Sequence, residues 1–311
     1  MEESSLKGRD LLSIADLSAA ELSAVLATAA KLKSETQQKI PHPILAGQTL
    51  ALVFEKPSLR TRLSFDVGMF QLGGRAFYLA PQEVGLGKRE TISDVARVIS
   101  RMCSVIVARV FTHESLVELA KYSEVPVVNG LSDFEHPCQA LADLLTIQER
   151  FGQLAGLKMA YIGDGNNMAH SLMLGAALSG MSISVISPPG FEPNEEVVSQ
   201  ARRLAGDKVT IKAVHNLEAG LAGADIIYTD VWASMGQEEE TESRRQVFRP
   251  YQVNSRVVGL AKPDALVLHC LPAHRGDEIT EEVLEGPQSA VFQQAENRLH
   301  AQKGLLVHLL G

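Results

Sequence analysis

Ser58-Leu59-Arg60-Thr61-Arg62 puts two guanidinium groups and two hydroxyls into five residues, directly after the apolar run Leu52-Val53-Phe54. If Thr49 to Phe54 is a strand and a helix starts near Ser58, the free N–H groups of that helix start face whatever lies beyond the strand end. The helix dipole favours an anion there. Ser58 and Thr61 add hydroxyl donors, while Arg60 and Arg62 supply planar, permanently charged forks that match phosphate oxygens. The segment reads as a phosphate cradle, with Lys56 and Pro57 forming the turn into it. Five such residues alone would also suit a solvated helix start, so the rest of the chain has to decide.

Other segments carry chemistry of their own. His136 would donate a hydrogen bond to a carbonyl oxygen and stabilise negative charge building there, and Gln139, one helical turn on, reaches the same place. Cys138 between them faces elsewhere, because neighbouring helical residues diverge. Asp164-Gly165-Asn166-Asn167 stands where a dinucleotide fold carries its glycine fingerprint, yet only Gly163 and Gly165 fit, and Met168 replaces the third glycine. A nicotinamide cofactor is therefore disfavoured, and the asparagine amides suit a small zwitterion instead. Asp230-Val231-Trp232-Ala233-Ser234-Met235-Gly236 contains the single tryptophan of the chain. Asp230 would pair with a ligand ammonium, and Gly236 lets backbone approach closely. A solvated acidic loop running through Glu238 to Glu240 is the other reading of this stretch.

His269-Cys270-Leu271-Pro272-Ala273-His274 invites a zinc site on His269, Cys270 and His274. Adjacent residues at a strand end face opposite ways, and no cysteine pair is present to anchor a tetrahedral site, so no metal is expected. Cys270 is then either a thiol that meets an amine or an inert buried one. No G-x-S-x-G elbow and no P-loop points to a hydrolase or an NTPase.

These segments need a frame to bring them together, and the pattern of the chain supplies one. Behind an opening helix over Leu17 to Lys33, short apolar runs alternate with helical patterns. Strands are expected over Thr49–Phe54, Ala76–Leu79, Val105–Arg109 and Pro126–Asn129, with helices over Thr61–Leu72, Ser93–Met102 and His113–Tyr122. After a long helix from His136 to Arg150 the alternation restarts, with strands over Leu157–Ile162, Ser182–Ile186, Val209–Ala213, Asp225–Tyr228 and Ala265–Leu268. Strand and helix in turn give an α/β fold of two doubly wound parallel-sheet domains joined by interdomain helices. The expected domains are 1–145 and 146–288, and a terminal helix over 289–311 could pack on either. In such sheets ligands bind beyond the carboxyl ends of strands, and every polar segment above follows a strand, as does Arg109. Their convergence on one cleft is the main argument for an enzyme. Gly85-Leu86-Gly87-Lys88 and Gln237 to Arg245 read as loops long enough to move and to gate substrates.

The chain has 311 residues, 45% of them hydrophobic and 21% charged, enough for two packed cores. Its net charge of −8 repels nucleic acid and anionic membrane as partners, so any anion site is local. The apolar runs are too short to span a bilayer, and Met1-Glu2-Glu3-Ser4-Ser5 lacks the basic and apolar parts of a signal peptide. Cys103, Cys138 and Cys270 form no C-x-x-C pair, so reduced thiols and a cytoplasmic location are expected.

Six segments together, Phe54 to Arg62, His136 to Gln139, Gly163 to Asn167, Asp230 to Gly236, His269 to Pro272 and Ala295-Glu296-Asn297-Arg298, resemble in order the motifs of the ornithine carbamoyltransferase family. The resemblance implies transfer of a carbamoyl group from carbamoyl phosphate to the side-chain amine of L-ornithine, giving citrulline and phosphate in the arginine pathway, with no cofactor. Carried over by motif, Ser58, Leu59, Arg60, Thr61, Arg109, His136, Gln139, Cys270, Leu271 and Arg298 would bind carbamoyl phosphate. Asn167, Asp230, Ser234 and Met235 would hold ornithine, and Cys270, His136, Arg109 and Arg60 would serve catalysis. The family also implies a last helix returning to the first domain, and a homotrimer or a multiple of trimers. The chain departs from many bacterial relatives in the loop before Lys88-Arg89-Glu90, where Gly85-Leu86-Gly87 replaces a glutamine-bearing stretch, and no carbamoyl contact is assigned there. A carbamoyltransferase for another amine, such as putrescine, is the nearest alternative. Asp230 with Ser234-Met235-Gly236 favours an amino acid.

Overall fold

The computed structural model describes residues 6–233 and 241–311. The chain divides into two compact units, Met1–Leu145 with Glu296–Gly311, and Thr146–Ala295.

In the first unit the strands β1 (Thr49–Phe54), β2 (Arg75–Leu79), β3 (Val105–Arg109) and β4 (Val127–Leu131) form a parallel sheet in the order β2-β1-β3-β4. The helices are α1 (Ala19–Gln37), α2 (Leu59–Gln71), α3 (Pro81–Val84), α4 (Ile92–Ile99) and α5 (His113–Tyr122). The helix α6 (Pro137–Phe151) runs across the division between the units. Leu50 to Phe54 and Val105 to Ala108 are buried without a break, as strands covered on both faces must be, which is why both show as uninterrupted apolar runs. Ser18 starts α1 with a reciprocal cap: its hydroxyl accepts from Glu21 N, and Glu21 Oε2 accepts from Ser18 N.

In the second unit β5 (Lys158–Ile162), β6 (Ser182–Ile186), β7 (Ile211–Val214), β8 (Ile226–Thr229) and β9 (Leu266–His269) form a parallel sheet ordered β7-β6-β5-β8-β9. Its helices are α7 (Asn167–Ser179), α8 (Glu195–Ala205), α9 (Leu217–Leu221), α10 (Thr241–Phe248), α11 (Ser255–Val258) and α12 (Glu281–Leu284). The last helix, α13 (Val291–Leu310), starts in this unit and belongs to the first from Glu296 onward.

Both sheets reverse their winding at one place. In the first the chain goes from β1 outward to β2 and returns to β3 on the other side of β1, and in the second it leaves β5 for β6 and β7 and returns to β8. Such a switch point opens a crevice at the strand ends. Register aligns those ends: Phe54 pairs with Arg109, Ile162 with Thr229, and Thr229 with His269. Ser58 and Arg109 thus follow one switch point, while Asp164, Asp230 and Cys270 follow the other in a row.

One expectation is corrected here. Residues 241–245, read above as part of a loop, begin α10. Arg244 and Phe248, four apart and both buried, fix its inner face, whereas Gln237 to Glu240 lie outside the described residues. Among the described residues no helix is long and apolar enough to cross a membrane.

Candidate active site

In the first unit Ser58 caps α2. Its Oγ accepts from Thr61 N at 3.3 Å and donates to Thr61 Oγ1 at 3.0 Å. Arg298, from α13, donates through Nη2 to the same Thr61 oxygen at 2.6 Å. Thr61 Oγ1 therefore accepts twice, and its own proton is left to point to a further acceptor. Arg109 and Arg298 are buried, and so is His136. Burial first, then the positive charges of Arg298, Arg109 and Arg60 in that order, hold His136 well below its ordinary pKa. The imidazole is neutral, and three cations converge on it.

Gln139 is oriented by its neighbour one turn along α6. Its Nε2 donates to Asp143 Oδ1 at 2.8 Å, which leaves Oε1 as a buried acceptor with no partner. Such an oxygen suits an N–H from a small amide. Cys138 does face away: it is wholly buried, its thiol lies 3.4 Å from Asn129 O, and burial pushes its pKa up to about 12. Arg62 differs from the sequence reading. It stands two residues from Arg60, which on a helix is the opposite side, and its guanidinium lies 3.9 Å from the Tyr78 ring centroid. Leu59, the second residue of the cradle, is mostly exposed at the helix start.

In the second unit the chemistry centres on Asp230. Cys270 Sγ donates to its Oδ1 at 2.9 Å, and Val231 N donates to the same oxygen at 2.8 Å. Asn166 Nδ2 donates to Oδ2 at 3.1 Å. Asn166 Oδ1 in turn caps α7 by accepting from Met168 N and Ala169 N, and it also accepts from the Tyr161 hydroxyl at 3.1 Å. Burial, then the charges of Asp230 and Asp164, hold the Tyr161 phenol well above its ordinary pKa, so it stays a donor. Asn167 is the first residue of α7, beside this network.

A further clamp holds these loops. Arg244 Nη1 donates to Asp164 Oδ2 at 2.7 Å and to Trp232 O at 3.0 Å, and its guanidinium lies 5.0 Å from the Phe191 ring centroid. Phe248 packs between Phe191 and Trp232, with centroids at 4.8 and 6.0 Å. Ser234 and Met235 lie outside the described residues.

The His269–Cys270 pair also departs from expectation. Ligand-type atoms of Asp230, His269 and Cys270 lie within 4.8 Å of one another, because Cys270 has left the pleat of β9 and strand alternation no longer governs it. The donor set still does not suit a metal. His269 Nδ1 accepts from Leu271 N at 2.9 Å, so Nε2 carries the proton, which it donates to Glu278 Oε1 at 3.1 Å. Neither ring nitrogen has a lone pair to give.

Sequence reasoning missed Tyr161 and Glu278, and it named Asn166, Arg244 and His269 without the roles they take here. Only Asn166 carried a usable signal, since Asn is a favoured helix cap and the α7 pattern begins immediately after it.

The carbamoyl-P binding domain model of aspartate/ornithine carbamoyltransferase matches residues 9–149, and the Asp/Orn binding domain model matches residues 155–309. The chain is 55% identical to ornithine carbamoyltransferase of Anoxybacillus flavithermus over 98% of each chain. It is 51% identical to the anabolic ornithine carbamoyltransferase of Pyrococcus furiosus, over 99% of this chain and 98% of that one. The solved structure of the ornithine carbamoyltransferase from Pyrococcus furiosus superposes with a TM-score of 0.96 at 51% identity, covering 99% of this chain and 98% of that one.

Proposed function

The chain belongs to the aspartate/ornithine carbamoyltransferase family, and from that membership we infer that it transfers the carbamoyl group of carbamoyl phosphate to the δ-amine of L-ornithine, giving L-citrulline and phosphate. The observation that carries the reading is the buried, neutral His136 surrounded by Arg60, Arg109 and Arg298, the last of which is bonded to Thr61 in the first turn of α2.

In this reading the α2 start, with Ser58, Leu59 and Thr61, and the three arginines bind the phosphate and stabilise it as it leaves. His136 donates to the carbonyl oxygen, where charge grows as the amine adds, and Gln139 Oε1 accepts from the carbamoyl NH₂. Cys270 and Leu271 lie against the carbamoyl group. On the other substrate, Asp230 holds the α-ammonium of ornithine, with Asn167, Ser234 and Met235 on the rest of the amino acid. An alkylammonium has a pKa of about 10.4, so the δ-amine must lose its proton before it can attack. The Cys270 thiol orients the δ-amine, and the proton passes finally to phosphate. The C–N bond forms, the C–O bond to phosphorus breaks, and no covalent enzyme intermediate is needed. The enzyme works without a cofactor, in the cytoplasm, in arginine biosynthesis, as a homotrimer or a multiple of trimers.

The test offers carbamoyl phosphate with ornithine, putrescine, acetylornithine and aspartate side by side and measures carbamoylated product. Ornithine should be preferred by orders of magnitude in kcat/KM. Equal turnover of putrescine would remove the role given to Asp230.

A further inference from the structure

His136 stands immediately before α6, on the loop that leaves β4, and its carbonyl oxygen accepts from Gln139 N at 3.0 Å and from Ala140 N at 3.2 Å. The helix thus fixes its backbone from one side. On the other side lies the segment from Ser132 to Glu135, which is bonded within itself. Ser132 N donates to Glu135 O at 3.0 Å, and Ser132 Oγ accepts from Phe134 N at 3.3 Å and from Glu135 N at 3.2 Å. A loop closed on itself can still swing as a body. What ties it down is Asn129, a wholly buried residue of β4. Its Nδ2 donates to Ser132 Oγ at 3.3 Å and to Glu135 O at 3.4 Å, one contact at each end of the loop, and to Leu12 O at 2.8 Å. Leu12 belongs to the opening segment of the chain, which runs beside β4: Leu11 N donates to Val127 O at 2.9 Å, and Asn129 N donates to Leu11 O at 2.8 Å. Ile14 N, from the same segment, donates to Glu135 Oε2 at 3.2 Å. The Asn129 carbonyl oxygen accepts from the Cys138 thiol in the first turn of α6.

One amide nitrogen with two protons therefore serves three oxygens, and an oxygen in its place would face three acceptors. Asn129 Oδ1, meanwhile, is buried with no hydrogen-bond partner, which destabilises the fold. Placement of the loop, not stability, accounts for a polar side chain kept in the interior on those terms.

We propose that Asn129 is a positioning residue for the transfer reaction: by pinning the loop from Ser132 to Glu135 to β4 and to the opening segment, it fixes the place from which His136 donates to the carbonyl oxygen. The proposal rests on the carbamoyl-transfer reading above. A misplacement of about 1 Å at reacting groups costs on the order of 100-fold in rate, which sets the size of the effect.

The experiment uses the full-length enzyme, with steady-state kinetics in both substrates, calorimetric binding of inorganic phosphate, and thermal melting. Turnover of ornithine by the unaltered enzyme is measured first, and its absence would sink the carbamoyl-transfer reading rather than the role of Asn129. Asn129→Asp keeps the shape of the side chain and replaces the donor by an oxygen. It should lower kcat at least tenfold, while Kd for inorganic phosphate, set by the α2 start and the arginines, stays within about threefold. On a His136→Gln background the same substitution should change kcat by less than twofold, since its effect travels through an imidazole that is no longer there. Three results overturn the proposal: native kcat in Asn129→Asp, a loss of phosphate affinity as large as the loss of kcat, or an equal fall in kcat with and without His136. If Asn129→Asp does not fold, Ser132→Ala decides, because it removes the hydroxyl that Asn129 and the loop share. Native kcat there, or a fall that persists on the His136→Gln background, overturns it.

Discussion

Cys270 and Asp230, forty residues apart in sequence, meet through a thiol-to-carboxylate hydrogen bond of 2.9 Å, with Asn166 on the other oxygen of the same carboxylate. Asp230 is thus an acceptor on both sides. Asp230→Asn would set an amide NH₂ against one of these donors and remove the charge that pairs with an ammonium. Hydrogen bonds to charged groups are worth about 1.5–3 kcal/mol, so KM for ornithine should rise roughly 10- to 100-fold. KM for carbamoyl phosphate should stay near its native value. An equal rise in both constants would show that Asp230 acts on the fold and not on the amine substrate.

His136 makes a prediction about acid stability. Its folded-state pKa lies well below 6.5, through burial and the three arginines. Below about pH 6.5 the unfolded chain takes up a proton that the folded chain does not, so stability is lost as pH falls from there and is unaffected above it. Each unit of such a gap is worth about 1.4 kcal/mol. His136→Gln should lose less stability than the native protein between pH 7 and pH 5, measured by urea midpoints. Its kcat should fall by about 100- to 1,000-fold, as for loss of one donor to a developing oxyanion. Parallel stability curves for the two proteins would contradict the buried neutral imidazole.

Gly165 stands one residue before the cap of α7. A Cβ there would overlap Pro193 N and the Glu192 carbonyl carbon, both backbone atoms that cannot step aside. Gly165→Ala should move Asn166 away from Asp230. It should cost about 1–3 kcal/mol in stability and raise KM for ornithine, with carbamoyl phosphate binding by calorimetry unchanged. A native KM for ornithine would mean that the loop absorbs the methyl without moving the cap.

Lys303 has no exposed surface, yet it carries an amine. Its Nζ donates to Thr36 Oγ1 and Gln71 Oε1, each at 2.8 Å, and lies 3.1 Å from His42 Nε2. Burial lowers its pKa to about 8, against the pull of Glu35. The folded state sheds its proton near pH 8 while the unfolded state keeps it to about 10.4, so stability should rise with pH across that window, by about 3 kcal/mol in all. Lys303→Met should remove the rise. Denaturation of both proteins at pH 7.5 and 9.5 tests this, and an identical pH response would count against the buried amine.

Much of the fold was legible because the physics behind it is local. Leu50 to Phe54 and Val105 to Ala108 are continuous apolar runs, and a strand covered on both faces can hardly look otherwise. The helix start at Ser58 was legible for the same reason, since the cap and the Thr61 N–H that it accepts from lie within one turn. Arg62 was misassigned because its identity was weighed without its position, two residues from Arg60 and on another side of the helix. Contacts between distant segments leave no such trace. Arg298 reaches Thr61 across 237 positions of sequence, and only resemblance to a family pointed to it. Arg244 looked like a loop residue because nothing in a polar stretch announces that one arginine will be buried over Phe191 and bonded to Asp164. Glu278 suffered likewise: a buried partner for His269 has no periodic signature.

The first compact unit is assembled from two pieces of chain, Met1–Leu145 and Glu296–Gly311. During synthesis its sheet, Arg60, Arg109 and His136 all leave the ribosome before the second unit is made, whereas Arg298 emerges after it. Thr61 lacks the Arg298 guanidinium until α13 has been made. The bond between Arg298 and Thr61 is thereby tied to synthesis of the second unit, and a chain cut before α13 would leave Thr61 Oγ1 without that guanidinium.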